Sequence, residues 1–278
     1  MIKISPDEFQ QLSQYILQVC GIALDSSKTY LVETRLGTLA AELGCASFLD
    51  LVRRARADVS RGIEQKIIDA ISTNETLFFR DNGPFQLLQH KILPEMIDAR
   101  SAKAGVMKVP LRIWSAACST GQEIYSIAIV LRELLSDVSR YNIRLLGTDI
   151  SNAAVSQASS GRYNKFEMER GLPREKLDKY FRSAGSFWQI RDELRAMANF
   201  QRLNLMQPFT ALGKFDIIFC RNVAIYFSLE DRKKLFDRLA NALEPDGSLI
   251  IGSTESLTGI CPRFLPKRHL QSIFYQMR

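Results

Sequence analysis

Histidine is nearly absent: His90 and His269 are the only two in 278 residues, and no motif of the chain contains either. That argues against an imidazole metal centre, and no metal site is expected. Cysteine is sparse and unpaired in pattern. Cys20, Cys45, Cys118, Cys220 and Cys261 are odd in number and scattered, with no CxxC. Reduced thiols in a cytoplasmic protein follow, not a disulfide frame or a zinc site. Long apolar runs are missing as well. None reaches the roughly 18 residues of a membrane span, so no membrane insertion is expected. The start, MIKISPDEFQQL, is too charged for a secretory signal.

Apolar residues are nonetheless plentiful, at 46% of the chain, enough to bury the core of one or two domains. The net charge is +7, which raises the question of a nucleic-acid partner. Residues 1–80 carry nine Lys/Arg against ten Asp/Glu, so the excess lies beyond them, spread thinly. The densest basic cluster of the first part is Arg53, Arg54, Arg56, Arg61 and Lys66. It reads either as a solvated helix face or as a docking patch for an acidic partner.

The first 72 residues read as helices. Phe9, Leu12, Ile16 and Val19 stand at helical spacing behind the Ser5-Pro6 start, and Gly21 ends the segment. Further helices are predicted over Ser26–Leu43, Phe48–Ala57, Gly62–Ile71 and about Gly83–Ala99. Ser101–Pro110 reads as linker. From Val109 the period changes. VPLRIWSAA, IRLLGTDIS, KFDIIFCRN and SLIIGSTES are short apolar strands. Helices marked by Ile124, Ile127, Leu131 and by Leu235, Leu239, Leu243 separate some of them. Apolar strands alternating with amphipathic helices predict an α/β fold with a doubly wound parallel sheet. Between Gly161 and Leu205 that rhythm breaks. Strands around Phe187–Arg191 and Asn199–Leu203 are predicted to form a small antiparallel insertion, the alternative being a long helical connection.

Ligands of such a sheet sit at the carboxyl ends of its strands. The first end, SAACSTGQE, has small residues but one glycine where a dinucleotide loop has three. Glu123 in the following helical turn would repel phosphate and suits an ammonium. The second end places Asp149 where a carboxylate can accept from both ribose hydroxyls. The third carries Asn222, with Tyr226 four residues on. A ligand with an ammonium, a ribose and no phosphate is S-adenosylmethionine.

Together TNETLFFRD, WSAACSTGQEIYSIAI, TDIS and FDIIFCRNVAIYF resemble the bacterial chemotaxis receptor methyltransferases, the CheR family. The resemblance covers nearly the whole chain. It implies a Rossmann-like methyltransferase sheet with a small antiparallel β insertion, preceded by a small all-helical N-terminal domain. Expected bounds are 1–80 for the helical domain, 81–110 for a connecting helix and linker, and 111–278 for the catalytic domain, with the insertion at about 162–203. It implies methyl transfer from S-adenosylmethionine, leaving S-adenosylhomocysteine, to glutamates of the cytoplasmic domain of transmembrane chemoreceptors. No nucleic acid is then an expected partner. Cofactor contacts carried over are Asn74, Thr76, Arg80, Glu123, Asp149, Asn204, Leu205, Arg221 and Asn222, with Arg80 and Tyr226 flanking the transferred methyl.

A glutamate is already ionised at neutral pH, its reference pKa being about 4.3, so its methylation needs no general base. The scarcity of histidine fits that chemistry. What remains is positioning, worth about 7–11 kcal/mol in favourable cases. Arg80 can fork onto a carboxylate, with Phe78 and Phe79 buried to hold it still. Arg53, Arg54 and Arg56 are the candidate receptor-contact face. The Ala184-Gly185-Ser186 turn is shorter than in relatives that dock a receptor tail by adding a strand, which leaves tail docking in doubt. An RNA or small-molecule methyltransferase and an inactive signalling adaptor are the competing readings.

Overall fold

The computed structural model describes residues 3–101 and 108–278. The expected Ser101–Pro110 linker thus lies mostly outside the described residues.

The chain opens with the helix Pro6–Cys20. Its N-terminus is closed reciprocally, with Glu8 N donating to Ser5 Oγ and Ser5 N donating to Glu8 Oε2. Gly21, at φ +77°, ends it in the left-handed conformation. Helices Phe48–Ala57 and Gly62–Ile71 form as expected, each burying one apolar face. The predicted single helix over Ser26–Leu43 is broken instead. A 3-10 turn at Ser26–Lys28, a π turn at Val32–Leu36 and an α segment at Gly37–Glu42 follow one another. The Thr34 hydroxyl bonds back to the Tyr30 carbonyl within that irregular stretch, competing with the backbone ladder. Leu12, Ile16, Val32, Phe48, Leu51, Ile67 and Ile68 close the core of this helical layer.

The rest of the chain is built on a seven-stranded sheet. Its strands are β1 (Val109–Ala116), β2 (Tyr141–Asp149), β6 (Ala198–Arg202), β7 (Phe215–Cys220), β8 (Leu243–Ile251), β9 (Phe264–His269) and β10 (Ser272–Met277). The order is β6-β2-β1-β7-β8-β10-β9. The first five are parallel, and β10 and β9 run antiparallel at one edge. Helices Gln122–Leu134 and Leu229–Ala242 pack on opposite faces, one with the core around Ile113, Ile217 and Phe219, the other with that around Trp114, Ile218 and Leu249. Among the described residues no helix is long and apolar enough to cross a membrane.

The insertion is a separate three-stranded sheet of order β3-β5-β4, made by Arg162–Asn164, Phe187–Ile190 and Phe181–Ala184. Asn199–Leu203 was expected inside it. That strand is β6, and it joins the main sheet parallel to β2, with Leu146 opposite Asn199. An exposed, weakly alternating strand does not encode its hydrogen-bonding partner. Leu243, expected on the preceding helix, instead begins β8. The β9–β10 hairpin had no place in the strand count read from the sequence.

Beneath the sheet, Arg100 pairs with buried Asp216, whose other oxygen accepts from Arg112 N at 2.6 Å. Removing one partner strands the other charge in low dielectric. Asp216→Ala is expected to cost about 3 kcal/mol of unfolding free energy. Urea denaturation with an unchanged midpoint would show that this pair is structurally idle.

Candidate functional site

The order β2-β1-β7 puts the strand reversal between β1 and β7, so a crevice opens at their carboxyl ends. A cleft with both polar and apolar lining lies there, as small-molecule sites have. Residues 115–121 form its floor. Ala117 (φ +62°), Ser119 (φ +50°) and Gly121 (φ +95°) all adopt left-handed backbone, and the Ser119 amide is turned onto Asp149. Two of the three carry a Cβ, and strain of that kind gathers at ligand sites.

Asp149 ends β2, almost fully buried. Ser119 N donates to its Oδ2 at 2.8 Å and Ser151 N to its Oδ1 at 3.0 Å. Burial pushes its carboxyl pKa up, while the amides of Ser151, Ser119 and Ile150 oppose the rise. Each oxygen keeps a lone pair for a further donor, so the group is aimed and still able to accept from a diol.

Glu123, in the first turn of the next helix, accepts from Ser115 Oγ at 2.7 Å and from Arg221 at 2.8 Å. Arg221 is the hub. Its side chain is 2% exposed, pairs with Glu123 and Asp81, and donates to the Arg80 carbonyl at 2.8 Å. It also lies over the Phe85 ring, 5.7 Å from the centroid. Neighbouring Asn222 (φ +56°) donates its N–H to Glu255 Oε2 at 2.7 Å, and Gly252 N shares that oxygen at 2.8 Å. A Cβ at Gly252 would meet Glu255 Oε2 at 2.5 Å, so a larger residue there would push that carboxylate from its place. Burial raises the Glu255 carboxyl pKa, against the pull of the Asn222 and Gly252 amides and of Arg221.

The segment 74–82 forms the facing wall. Phe78 is fully buried, edge-on to Tyr163 and Phe181 with centroids at 5.1 and 5.4 Å. Phe79 is half-buried against Phe85, and its N–H donates to Ser126 Oγ. The two rings therefore anchor the segment as anticipated. Phe79, Asp81 and Asn82 all have positive φ. Arg80 between them is half-buried, lines the cleft and donates to the Glu75 carbonyl at 2.9 Å. Asn74 and Thr76 line the same wall, and the Asn74 carbonyl accepts from Ser119 Oγ.

Asn204, Leu205 and Tyr226 complete the lining. Asn204 spends its amide on the Val19 carbonyl and on Met206 N, and the Tyr226 carbonyl accepts from Ala23 N. These contacts seat the helical layer, so Cys20 and Ile22 also reach the cleft. Arg53, Arg54 and Arg56 are not among its lining residues. Arg54 pairs with Asp50 and caps the Leu43 and Gly44 carbonyls, and Arg56 lies over Tyr15. Arg53 approaches only Asp50, at 3.9 Å. Asp81, Ser115, Ser119 and Glu255 were missed in the sequence. All four lie in stretches singled out there, Asp81 in TNETLFFRD, Ser115 and Ser119 in SAACSTGQE and Glu255 in SLIIGSTES, but none was assigned a role.

Comparison with known families agrees with this geometry. The model for "CheR methyltransferase, SAM binding domain" matches residues 74–268, and that for "CheR methyltransferase, all-alpha domain" matches residues 7–72. Chemotaxis protein methyltransferase Cher2 of Pseudomonas putida is 36% identical over 275 residues, with 98% of each chain covered. The chemotaxis protein methyltransferase of Vibrio parahaemolyticus is 39% identical over 285 residues, covering 100% of this chain and 99% of its own.

A buried acid whose folded pKa lies above its unfolded value binds more protons when folded, so stability falls as pH rises between the two. For Glu255 that window opens near the ordinary value of 4.5 and extends upward. Glu255→Gln keeps an acceptor for both amides and removes the titration. Its stability relative to the unaltered chain is expected to improve as pH rises through that window. Parallel pH profiles of thermal unfolding would refute this.

Proposed function

The chain belongs to the CheR methyltransferase family, and on that premise we propose that its cleft receives S-adenosylmethionine and a chemoreceptor glutamate side by side. The protein is an S-adenosylmethionine-dependent methyltransferase. The full-length likeness to chemotaxis methyltransferases favours glutamate methyl ester formation over RNA or small-molecule methylation. The observation that carries the reading is the meeting of Asp149, Glu123 and Arg80 at one crevice without a phosphate cradle.

The residues present fit that cofactor. Asp149, held by two amides, has acceptors left for a ribose diol. Glu123 faces the same cleft and can share its carboxylate with an ammonium while Ser115 and Arg221 fix its plane. Asn74, Thr76, Asn204, Leu205, Arg221 and Asn222 shape or support the surrounding wall. When bound, the cofactor supplies an electrophilic methyl on a sulfonium.

The protein's task is then to hold an already ionised acid still. Arg80 presents a guanidinium whose backbone is pinned by Arg221 and whose flanking aromatics are packed. One of its donors is occupied by Glu75, leaving a modest clamp on the incoming carboxylate. That suits a nucleophile, because charge leaves the carboxylate as the ester forms, and tight ground-state binding would slow the step. Tyr226 lines the same cleft and is the candidate for a second contact beside the transferred methyl. Arg53, exposed beside Arg54 and Arg56, is the candidate for a more distant receptor contact.

Three measurements test these roles. Label from methyl-labelled cofactor should pass to receptor-rich membranes in base-labile form; alkali-stable label would exclude an ester. Arg80→Ala should lower turnover on the order of 100-fold, with S-adenosylhomocysteine affinity held within about threefold. Unchanged turnover would remove its presenting role. Asp149→Ala should weaken S-adenosylhomocysteine binding by on the order of 100-fold in calorimetry, from the loss of two charge-assisted hydrogen bonds.

A further inference from the structure

Three carboxylates line the cleft, and each is already held. Asp149 accepts from two backbone amides, and Glu123 from Ser115 and Arg221. The third, Glu75, pairs with Arg170 at 3.0 Å. Asp81, which follows Arg80 in the chain, is taken by Arg221. Among the described residues no carboxylate stands within ion-pair distance of Arg80 itself. We propose that Arg170 is a positioning residue for the transfer. It holds Glu75 off Arg80, so that the guanidinium stays open to the carboxylate of the substrate. This rests on the function proposed above.

Glu75 bears the same side chain as the group the reaction accepts, and its backbone carbonyl already receives Arg80 Nη1 at 2.9 Å. One residue thus touches both cations, Arg80 through its carbonyl and Arg170 through its carboxylate. Among the described residues Arg170 is its only ion-pair partner, and the Glu75 side chain is 64% exposed. A guanidinium takes a carboxylate best through two parallel N–H bonds, so a resident carboxylate would compete with an incoming one for the same donors. Tethered five residues from Arg80, Glu75 would compete at an effective concentration on the order of millimolar.

The chain places Arg170 for this task. It directly follows the short helix Lys165–Glu169, and its guanidinium lies over the Phe166 ring, 5.3 Å from the centroid. Stacking of that kind orients the plane of the cation. The next residue, Gly171 (φ +82°), is pressed against the facing wall of the cleft, where a Cβ would meet the Phe78 carbonyl oxygen at 2.1 Å. The pair therefore spans the seam between the inserted segment and the stretch that carries Arg80. An ion pair this exposed adds little to folding stability. Its effect falls on which acid Arg80 can take.

Arg170→Ala releases Glu75 and leaves the core untouched. With full-length protein, methyl-labelled cofactor and receptor-rich membranes, it should raise the receptor KM about tenfold. Turnover at saturation and S-adenosylhomocysteine affinity should stay within about twofold, and thermal stability should not fall. Adding Glu75→Gln to Arg170→Ala removes the competing charge and should return KM to within about twofold of the unaltered chain. Failure of that rescue would make Arg170 a direct receptor contact or a prop of the wall, and would overturn the proposal. An unchanged KM in Arg170→Ala would overturn it equally. Either result leaves the methyltransferase reading intact, whereas no base-labile transfer by the unaltered chain would overturn both readings together.

Discussion

A single buried guanidinium holds this site together. Arg221 leaves the end of β7 and pairs with Glu123 on one neighbouring element and Asp81 on another, then reaches the Arg80 carbonyl. A cation so desolvated depends on its charge partners, and here two carboxylates and a carbonyl meet its two terminal nitrogens. The consequence is geometric. The strained 79–82 turn, the first turn of the helix after β1 and the end of β7 become one rigid body. Arg80 takes its backbone position from that body, and its side chain is further tied to the Glu75 carbonyl.

The chemistry needs little else. Methylating a carboxylate asks for no base, no metal and no covalent intermediate, only for an ionised acid and an electrophilic methyl kept in register. The protein meets this with oriented backbone. Left-handed residues at 119 and 222 turn their amides onto Asp149 and Glu255, and each carboxylate is fixed by two N–H groups. Such preorganisation is bought with local strain, which the packed Phe78, Tyr163 and Phe181 cluster offsets.

The helical layer is part of the same device. Asn204 grips the Val19 carbonyl, Ala23 N grips that of Tyr226, and Gln65 reaches Ile150. Gly21 allows the close approach, since a Cβ there would meet Met206 Sδ at 2.6 Å. Asn204 and Tyr226, expected from their motifs to serve the ligand directly, thus also fasten one layer to the other. Arg54 and Arg56 also make contacts within the helical layer, while both stay exposed beside Arg53.

Local information in the chain was enough for the helices around Phe9, Phe48 and Ile124, for the strands bearing Asp149 and Asn222, and for an S-adenosylmethionine site at their ends. Those features depend on period, caps and short motifs, which neighbouring residues express by themselves. Which strand lies beside which was not local. Asn199–Leu203 has the same residues whether it closes an insertion or lengthens the main sheet, and only the exposed edge of β2 decides between them. The partners of Arg221 come from positions 81 and 123, up to 140 residues away, and Glu255 meets Asn222 only after the sheet has formed. A side chain's type announces what it can bond; the folded chain alone determines which groups are brought within reach of it.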